Sequence, residues 1–211
     1  MSRLRYNRIE AVRHLKQVCP QLEEFIVSQG PLKLRVERDS SLFEALARAI
    51  VYQQLSGKAA GTIHGRFCAL FEQAQPCAQA VSRMNFDQLR AVGLSRNKVL
   101  AIQDLSARSC AGELPSPRAL SAMSDVQVID SLVKVRGIGP WTAQMFLMFN
   151  LGRPDVMPGA DLGVQKGVQC VYRMRKLPNP EQVLQRTRHL APFRSAASWY
   201  FWRAADTVLM T

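Results

Sequence analysis

The residues with the clearest chemical potential in this sequence are two closely spaced glycines, Gly137 and Gly139, and a carboxylate that follows them, Asp161. Pro140 comes directly after the glycines, where a new helix tolerates proline, so the glycines end one helix and the proline begins another. The N–H groups at the start of such a helix bind phosphate, and glycines let a nucleic acid backbone approach closely. A carboxylate can stabilise positive charge and can orient or deprotonate water. The pattern predicts a phosphate-binding hairpin followed by a carboxylate.

Two apolar segments and a loop must position these groups. Residues 125–135 carry apolar side chains at helical spacing after the potential N-cap Ser124, and residues 141–150 form a second such segment. A loop rich in glycine and proline then leads to Asp161, with Asp155 as the other acid near its start. Two simpler interpretations stay open: the glycines only end a helix, and Asp161 only N-caps the next one. The second is compatible with catalysis, because a cap fixes the carboxylate.

Composition favours a polyanionic partner. The 211 residues include 28 Lys and Arg against 16 Asp and Glu, which gives a formal charge of +12 and a pI near 10.1. The excess of basic residues is spread along the chain. The sequence lacks the single amphipathic basic helix that is typical of proteins binding a membrane surface. An apolar content of 47% is enough for a core in one domain or two small lobes.

The cysteines and the apolar stretches exclude several classes. The five cysteines are scattered without a CxxC pair, so neither a disulfide framework nor a zinc site is predicted. No stretch approaches the roughly 18 consecutive apolar residues of a transmembrane helix. We therefore expect a soluble protein, cytoplasmic in a bacterium or nuclear in a eukaryote.

The remaining periodicity is overwhelmingly helical. Residues 4–29 are predicted to be helical with a break at Cys19-Pro20, residues 32–36 alternate like a short strand or an extended link, and Ser41 with Glu44 fits a capping box. Residues 52–56 form a polar turn between two helices, and Leu55 within this turn is expected to face the core. From composition alone that turn is equally well a solvated loop.

The segments VRGIGPWTAQMFLMF and DVMPGADLGVQKG together resemble the helix–hairpin–helix superfamily of DNA glycosylases. The resemblance is closest to the alkylation-repair branch, the 3-methyladenine DNA glycosylase II type. AIVYQQLSGKAA, GLSRNKVLAI and APFRSAASWYFWRAADTVL extend it, so that it covers roughly residues 40–211. It implies an all-α fold with two helical lobes and the active site in the cleft between them. The expected lobes are residues 39–157, including the helix–hairpin–helix at about 125–150, and residues 1–38 with 158–211.

The resemblance also assigns roles to residues. Asp161 stands at the family's catalytic carboxylate, Gln54 is the candidate wedge that fills the gap left by an extracted base, and Gln53 is the neighbour that braces it. The expected base pocket consists of Trp141, Tyr52 and Phe193. The expected phosphate-binding residues are Gly137, Ile138, Gly139, Thr142, Lys166, Ser95 and Lys98.

The implied activity is removal of alkylated purines, mainly N3- and N7-methylated, from double-stranded DNA. The enzyme is expected to be a monomer that does not associate with a membrane. Relatives that also cut the DNA backbone have a lysine where Trp141 stands, and tryptophan cannot form a Schiff base. Its indole face instead attracts cationic bases. Some relatives hold an iron–sulfur cluster through four cysteines after the carboxylate; only Cys170 lies there, so no cluster and no side-chain metal site are expected. The backbone carbonyls of the hairpin are expected to accommodate a monovalent cation.

Two alternatives remain at this point. A non-catalytic DNA-binding module would use the hairpin only to grip phosphate, and the presence of Asp161 argues against it. A glycosylase of the same superfamily for an oxidised or mismatched base is disfavoured by Trp141 and the QQLSGKAA segment.

Overall fold

The computed structural model describes residues 4–37 and 41–208, and every regular element within those ranges is helical. This confirms the all-α prediction. The link at residues 32–37 is extended without strand pairing. The α-helices of the described ranges are α1 Arg8–Val18, α2 Pro20–Gln29, α3 Leu42–Tyr52, α4 Gly57–Cys68, α5 Ala78–Val81, α6 Phe86–Ala91, α7 Arg96–Cys110, α8 Pro117–Ala122, α9 Asp125–Leu132, α10 Pro140–Phe149, α11 Leu162–Val171, α12 Pro180–Arg186 and α13 Arg194–Val208.

The chain divides into two compact units. One, the terminal unit, contains Met1–Arg38 and Leu147–Thr211; the other, the middle unit, is Asp39–Phe146. The second boundary therefore falls inside α10, whereas the sequence placed it after residue 157. The predicted first boundary, at residues 38 and 39, lies outside the described residues.

Local sequence signals explain where several helices begin. Ser41 and Glu44 form the predicted capping box, with the Ser41 N–H donating to Glu44 Oε2 at 2.6 Å and the Glu44 N–H donating to Ser41 Oγ at 3.2 Å. Ser124 caps α9 in the same way with Gln127. Cys19 separates α1 from α2 as predicted, because the proline that follows it begins a new helix.

One long helix contributes large buried side chains to the core of each unit. In the middle unit α7 buries Val99, Ile102 and Leu105. In the terminal unit α13 buries Tyr200 and Phe201, and the Tyr200 hydroxyl donates to the carbonyl of Gly30 at 3.1 Å.

Glycines on α11 permit an unusually close approach to α13. A Cβ added at Gly167 would lie 1.9 Å from the carbonyl oxygen of Phe201, and one at Gly163 would lie 2.8 Å from Cδ1 of Trp202. The two glycines are four residues apart and therefore occupy the same helix face. The absent side chain of Gly167 makes room for the backbone of α13, and that of Gly163 makes room for the indole of Trp202.

We expect Gly167→Ala to destabilise the protein strongly, because the added methyl group meets backbone atoms that cannot rotate away. Overpacking of this kind costs about 1–3 kcal/mol or more. The free energy of unfolding in urea measures the effect. Gly65→Ala is the matched control: its Cβ would meet nothing within 4 Å, and alanine should stabilise helix α4 by about 1 kcal/mol. Equal stability of the two variants would contradict the packing argument.

Candidate active site

Asp161 is fixed by hydrogen bonds from two different helices of the terminal unit. Its Oδ1 accepts from the Val164 N–H at 2.8 Å, so it N-caps α11 as the sequence suggested. The same oxygen accepts from the indole Nε1–H of Trp202 on α13, also at 2.8 Å. The side chain is half-buried. The arrangement holds a carboxylate in one orientation at the start of a helix, where it can stabilise positive charge or act on a water molecule.

Trp202, which was not among the predicted site residues, donates a hydrogen bond to Asp161 and is packed in place by a second ring. Its ring stacks on Phe149, with centroids 5.8 Å apart and planes inclined by 23°. Gly163 makes room for the indole beside Asp161. The available sequence signal was the spacing of Gly163 and Gly167, which predicts a close helix partner but does not identify it.

The loop that leads to Asp161 is tied to the first turn of α13 by hydrogen bonds. The Ser195 N–H donates to the Pro154 carbonyl at 2.9 Å, the Ser195 hydroxyl donates to the Arg153 carbonyl at 2.7 Å, and the Val156 N–H donates to Ser195 Oγ at 3.0 Å. Ser195 is fully buried. These hydrogen bonds hold the loop against α13. Because Asp161 follows this loop, α13 also helps to position Asp161.

Asp155, the other acid of this loop, has a structural role. Arg194 donates to it from Nε and from a terminal guanidinium nitrogen, both at 2.7 Å, and also from its backbone N–H at 3.2 Å. Burial alone would raise the pKa of Asp155, but the hydrogen bonds and charge of Arg194 outweigh it and the net pKa is lowered. The carboxylate of Asp155 is thus ionised and occupied, which leaves Asp161 as the candidate for catalysis.

The glycine hairpin is anchored to α7 in the middle unit. α9 ends at Leu132, three residues earlier than predicted, and the chain turns through Gly137, whose φ of +79° favours glycine. A Cβ at Gly137 would stand 3.2 Å from that of Ala101, and the Arg136 N–H donates to Asp104 Oδ2 at 2.8 Å. The Ala143 N–H bonds the Gly139 carbonyl at 3.1 Å, so Gly139 is the residue from which α10 begins.

Gln53 joins the end of α3 to this hairpin. Its Nε2 donates to the Gly137 carbonyl at 2.9 Å and to Thr142 Oγ1 at 3.3 Å. The Lys98 ammonium donates to the carbonyls of Val51 and Gln53 at 2.7 and 2.9 Å. Burial lowers the pKa of Lys98. The turn after α3 is therefore held from two sides.

Gln54, the next residue, projects from this braced turn. It is exposed and has a φ of +56°, a left-handed conformation that few non-glycine residues adopt. Leu55, expected in the core, is 39% exposed instead. An exposed side chain on a firmly held, strained turn fits the predicted division in which Gln53 braces and Gln54 protrudes.

Several predicted phosphate contacts have polar groups that also make hydrogen bonds inside the protein. Thr142 is buried against Gln53, Lys98 donates to carbonyls, and Ser95 Oγ caps α7 by accepting from the Lys98 N–H. Ile138 is buried, and its N–H donates to the Val135 carbonyl at 3.1 Å. Phosphate binding by these four residues stays a prediction.

The other three predicted phosphate contacts, Gly137, Gly139 and Lys166, lie at positions that a ligand could reach. Gly137 is exposed, a Cβ at Gly139 would meet nothing within 4 Å, and Lys166 is exposed on α11.

The predicted pocket aromatics lie in different surroundings. Trp141 is 44% exposed in the first turn of α10. Tyr52 is half-buried, with the Arg48 guanidinium 4.5 Å from its ring centroid and the His64 ring edge-on at 5.8 Å. Phe193 is half-buried against His14, with ring centroids 5.4 Å apart. Trp141 and Tyr52 belong to the middle unit, and Phe193 and Asp161 belong to the terminal unit.

Side chains in the described ranges do not group into a cluster of three or more His, Cys, Asp or Glu residues suited to a metal ion. The hairpin cation stays a prediction; one carbonyl in question, that of Gly137, already accepts from Gln53 and keeps a second lone pair. Within residues 4–37 and 41–208, no helix has the length and apolar character needed to cross a membrane.

Comparisons with known proteins agree with the resemblance drawn from the motifs. Residues 47–193 match the family described as HhH-GPD superfamily base excision DNA repair protein. The chain is 35% identical over 164 residues to DNA-3-methyladenine glycosylase 1 of Schizosaccharomyces pombe, covering 77% of this chain and 72% of that protein.

Two solved structures are similar over nearly the whole chain. One is the S. pombe 3-methyladenine DNA glycosylase in complex with abasic DNA, with a TM-score of 0.83 and 32% identity over 93% of this chain and 97% of that one. The other is a DNA-3-methyladenine glycosidase from Bacillus halodurans, with a TM-score of 0.83 and 31% identity over 98% and 92%.

Removing the Lys98 ammonium should loosen the turn that carries Gln53 and Gln54. We expect Lys98→Met to lower the free energy of unfolding by about 1–3 kcal/mol, because two carbonyls lose a charged donor. Urea unfolding measures this loss. Lys58→Met, at an exposed position on α4, should be neutral. If both variants unfold alike, Lys98 does not stabilise the turn.

Proposed function

Because the chain belongs to the HhH-GPD superfamily of base excision DNA repair proteins, we propose that it is a monofunctional DNA glycosylase that releases alkylated purines from double-stranded DNA. The observation that carries this proposal is Asp161, a carboxylate held by Val164 and Trp202 after a glycine hairpin. The substrates we propose are purines methylated at N3 or N7. The names of the relatives, which act on 3-methyladenine in DNA, support the same class.

The proposed reaction breaks the bond between C1′ of the deoxyribose and the purine nitrogen. The base leaves with the bonding electrons, which neutralises the positive charge that N3 or N7 methylation placed on it. The sugar develops oxocarbenium-like charge, which the Asp161 carboxylate stabilises. A water molecule then adds to C1′, and Asp161 orients it or accepts its proton. Cationic purines are good leaving groups, so this scheme needs no separate general acid.

Trp141 supports both the substrate class and the absence of strand cleavage. Trp141 is 44% exposed, and an indole ring attracts a cationic base with roughly 0.5–2 kcal/mol. It has no amine, so the position that holds a lysine in strand-cutting relatives cannot form a Schiff base here. The exposed surface charge of this +12 protein supports a DNA partner.

Base release from a matched set of lesion duplexes tests the proposal. Purified protein is incubated with duplexes containing 3-methyladenine, 7-methylguanine, hypoxanthine or 8-oxoguanine, and free bases are identified by mass spectrometry. We expect 3-methyladenine to leave fastest, 7-methylguanine more slowly and 8-oxoguanine hardly at all. Borohydride should trap no covalent complex. A trapped complex, or preference for 8-oxoguanine, would assign the chain to another branch of the superfamily.

Asp161→Asn should abolish nearly all base release while DNA binding persists. Asparagine is a good N-cap, so α11 stays in place while the charge is lost. We expect a rate loss of at least about 10²-fold. Single-turnover release, with binding measured beside it, checks the prediction. Asp87→Asn, exposed on α6, is the control and should behave as the parent. Near-normal turnover of Asp161→Asn would remove the carboxylate from the mechanism.

Trp202→Phe should lower the rate without unfolding the protein, because it keeps a ring on Phe149 but loses the hydrogen bond to Asp161. A loosely oriented carboxylate is expected to cost about 10- to 100-fold in kcat with little change in KM. Trp199→Phe on the same helix is the control. The positioning role fails if both variants keep the parental kcat.

Gln54→Ala should impair excision from duplex DNA more than from single strands, where no stack must be held open. Gln73→Ala is a close control, since Gln73 is also an exposed glutamine with positive φ, at +52°. Initial rates on both substrates measure the effect. Equal losses on duplex and single strand would contradict the wedge assignment.

A further inference from the structure

A concave site lies at the opposite end of α11 from Asp161. It is a cavity of about 440 Å³, here called the distal cavity, lined by Tyr172, Met174, Gln182, Gln185, Arg186 and His189. Asp161 is the N-cap and Tyr172 the C-cap of this ten-residue helix. A helix of that length rises roughly 15 Å, so the distal cavity is separate from the carboxylate site.

The polar lining of the distal cavity suits an anion. Arg186 supplies a guanidinium, His189 an imidazole, and two glutamines supply amides, while no carboxylate lines it. The phenol of Tyr172 stays uncharged, because burial and then its hydrogen bond with Cys19 raise its pKa. The lining thus offers several hydrogen-bond donors and no fixed negative charge.

The surrounding segment concentrates positive charge. Residues 172–190 contain five Lys and Arg residues and one acid, Glu181, an excess of four that is a third of the chain's +12. Arg173 pairs with Glu24 at 3.2 Å on the surface. The described contacts of Arg186 include the face of Tyr172, 5.3 Å from the ring centroid, rather than an acid. This leaves a guanidinium beside an aromatic surface at the mouth of the cavity.

We propose that the distal cavity binds a phosphate ester, contributed by DNA outside the nucleotide that is excised. A guanidinium matches the oxygens of a phosphate, and the ring of Tyr172 with Met174 offers an apolar wall for a sugar or base. The volume falls within the roughly 300–1,000 Å³ typical of ligand sites. DNA as the source of the phosphate rests on the proposed function, whereas the anion chemistry rests on the cavity alone.

DNA of different arm lengths tests the proposal with the intact protein. A duplex carries an abasic analogue at its centre, and two shorter versions have one arm or the other cut to about 3 base pairs. The proposal places the bound phosphate to one side of the abasic position, about 4 base pairs away if the roughly 15 Å between the two sites runs along the duplex, so one truncation removes it. The variants are Arg186→Gln, which removes a charge, and Gln185→Glu, which adds a carboxylate. Their controls are Arg118→Gln and Gln79→Glu, at exposed positions of the middle unit.

We expect both variants to lose affinity for the full duplex and for one truncated duplex, but to bind the other truncated duplex as the parent does. Arg186→Gln should also reduce the log–log salt slope on the full duplex by about 0.9. Unchanged affinity for all three duplexes, or an equal loss on all three, overturns a DNA phosphate contact at this cavity.

Calorimetric titration with a deoxynucleoside monophosphate distinguishes the source. Binding that both variants abolish, with DNA affinity unchanged, supports the phosphate-ester site with a free nucleotide as its ligand. If the variants change neither the affinity for DNA nor the binding of the nucleotide, the proposed site is overturned. Base release from methylated duplex by the parent protein is measured in parallel. If the proposed function is wrong, base release is absent while the two binding experiments can still succeed.

Discussion

The backbone contact between α11 and α13 at Gly167 is the constraint on which the terminal unit depends. Since the Phe201 carbonyl occupies the space of a Cβ, the two helices have a fixed register. That register brings Trp202 to Asp161 and places the first turn of α13 against the loop that precedes α11. A single absent side chain thus determines the orientation of the candidate catalytic carboxylate. Packing, rather than the loop's own sequence, sets the site.

In the middle unit the corresponding role belongs to a polar side chain. Gln53 reaches two residues of the hairpin, and Lys98 holds the backbone from which Gln53 projects. Three segments distant in sequence therefore converge on one turn. The strained backbone of Gln54 persists because its neighbour is held so firmly. The two candidate functional elements of this unit, hairpin and turn, are consequently parts of one hydrogen-bonded assembly.

Periodicity and caps predicted the helices, the hairpin and the N-cap role of Asp161, since these depend on residues within a few positions of each other. Contacts distant in sequence were not predictable in this way. The partner of Asp155 is 39 residues away and the tryptophan at Asp161 is 41 away. Lys98 was expected to contact phosphate from the family resemblance of its segment, and its hydrogen bonds to the carbonyls of Val51 and Gln53 at the end of α3 could not be read from that resemblance. Leu55 was expected in the core because it is apolar, but it is 39% exposed. Apolar periodicity does not reveal which residues lie in a turn.

The ion pair of Arg194 and Asp155 makes the site respond to ionic strength differently from the rest of the surface. Both side chains are less than 30% exposed, and two short hydrogen bonds join them. Salt screens exposed charges far more than such a pair. Raising the salt concentration would therefore weaken the proposed binding of DNA without loosening the loop before Asp161. In the proposed function, salt would therefore act on DNA binding and release, while the orientation of the Asp161 carboxylate stays the same.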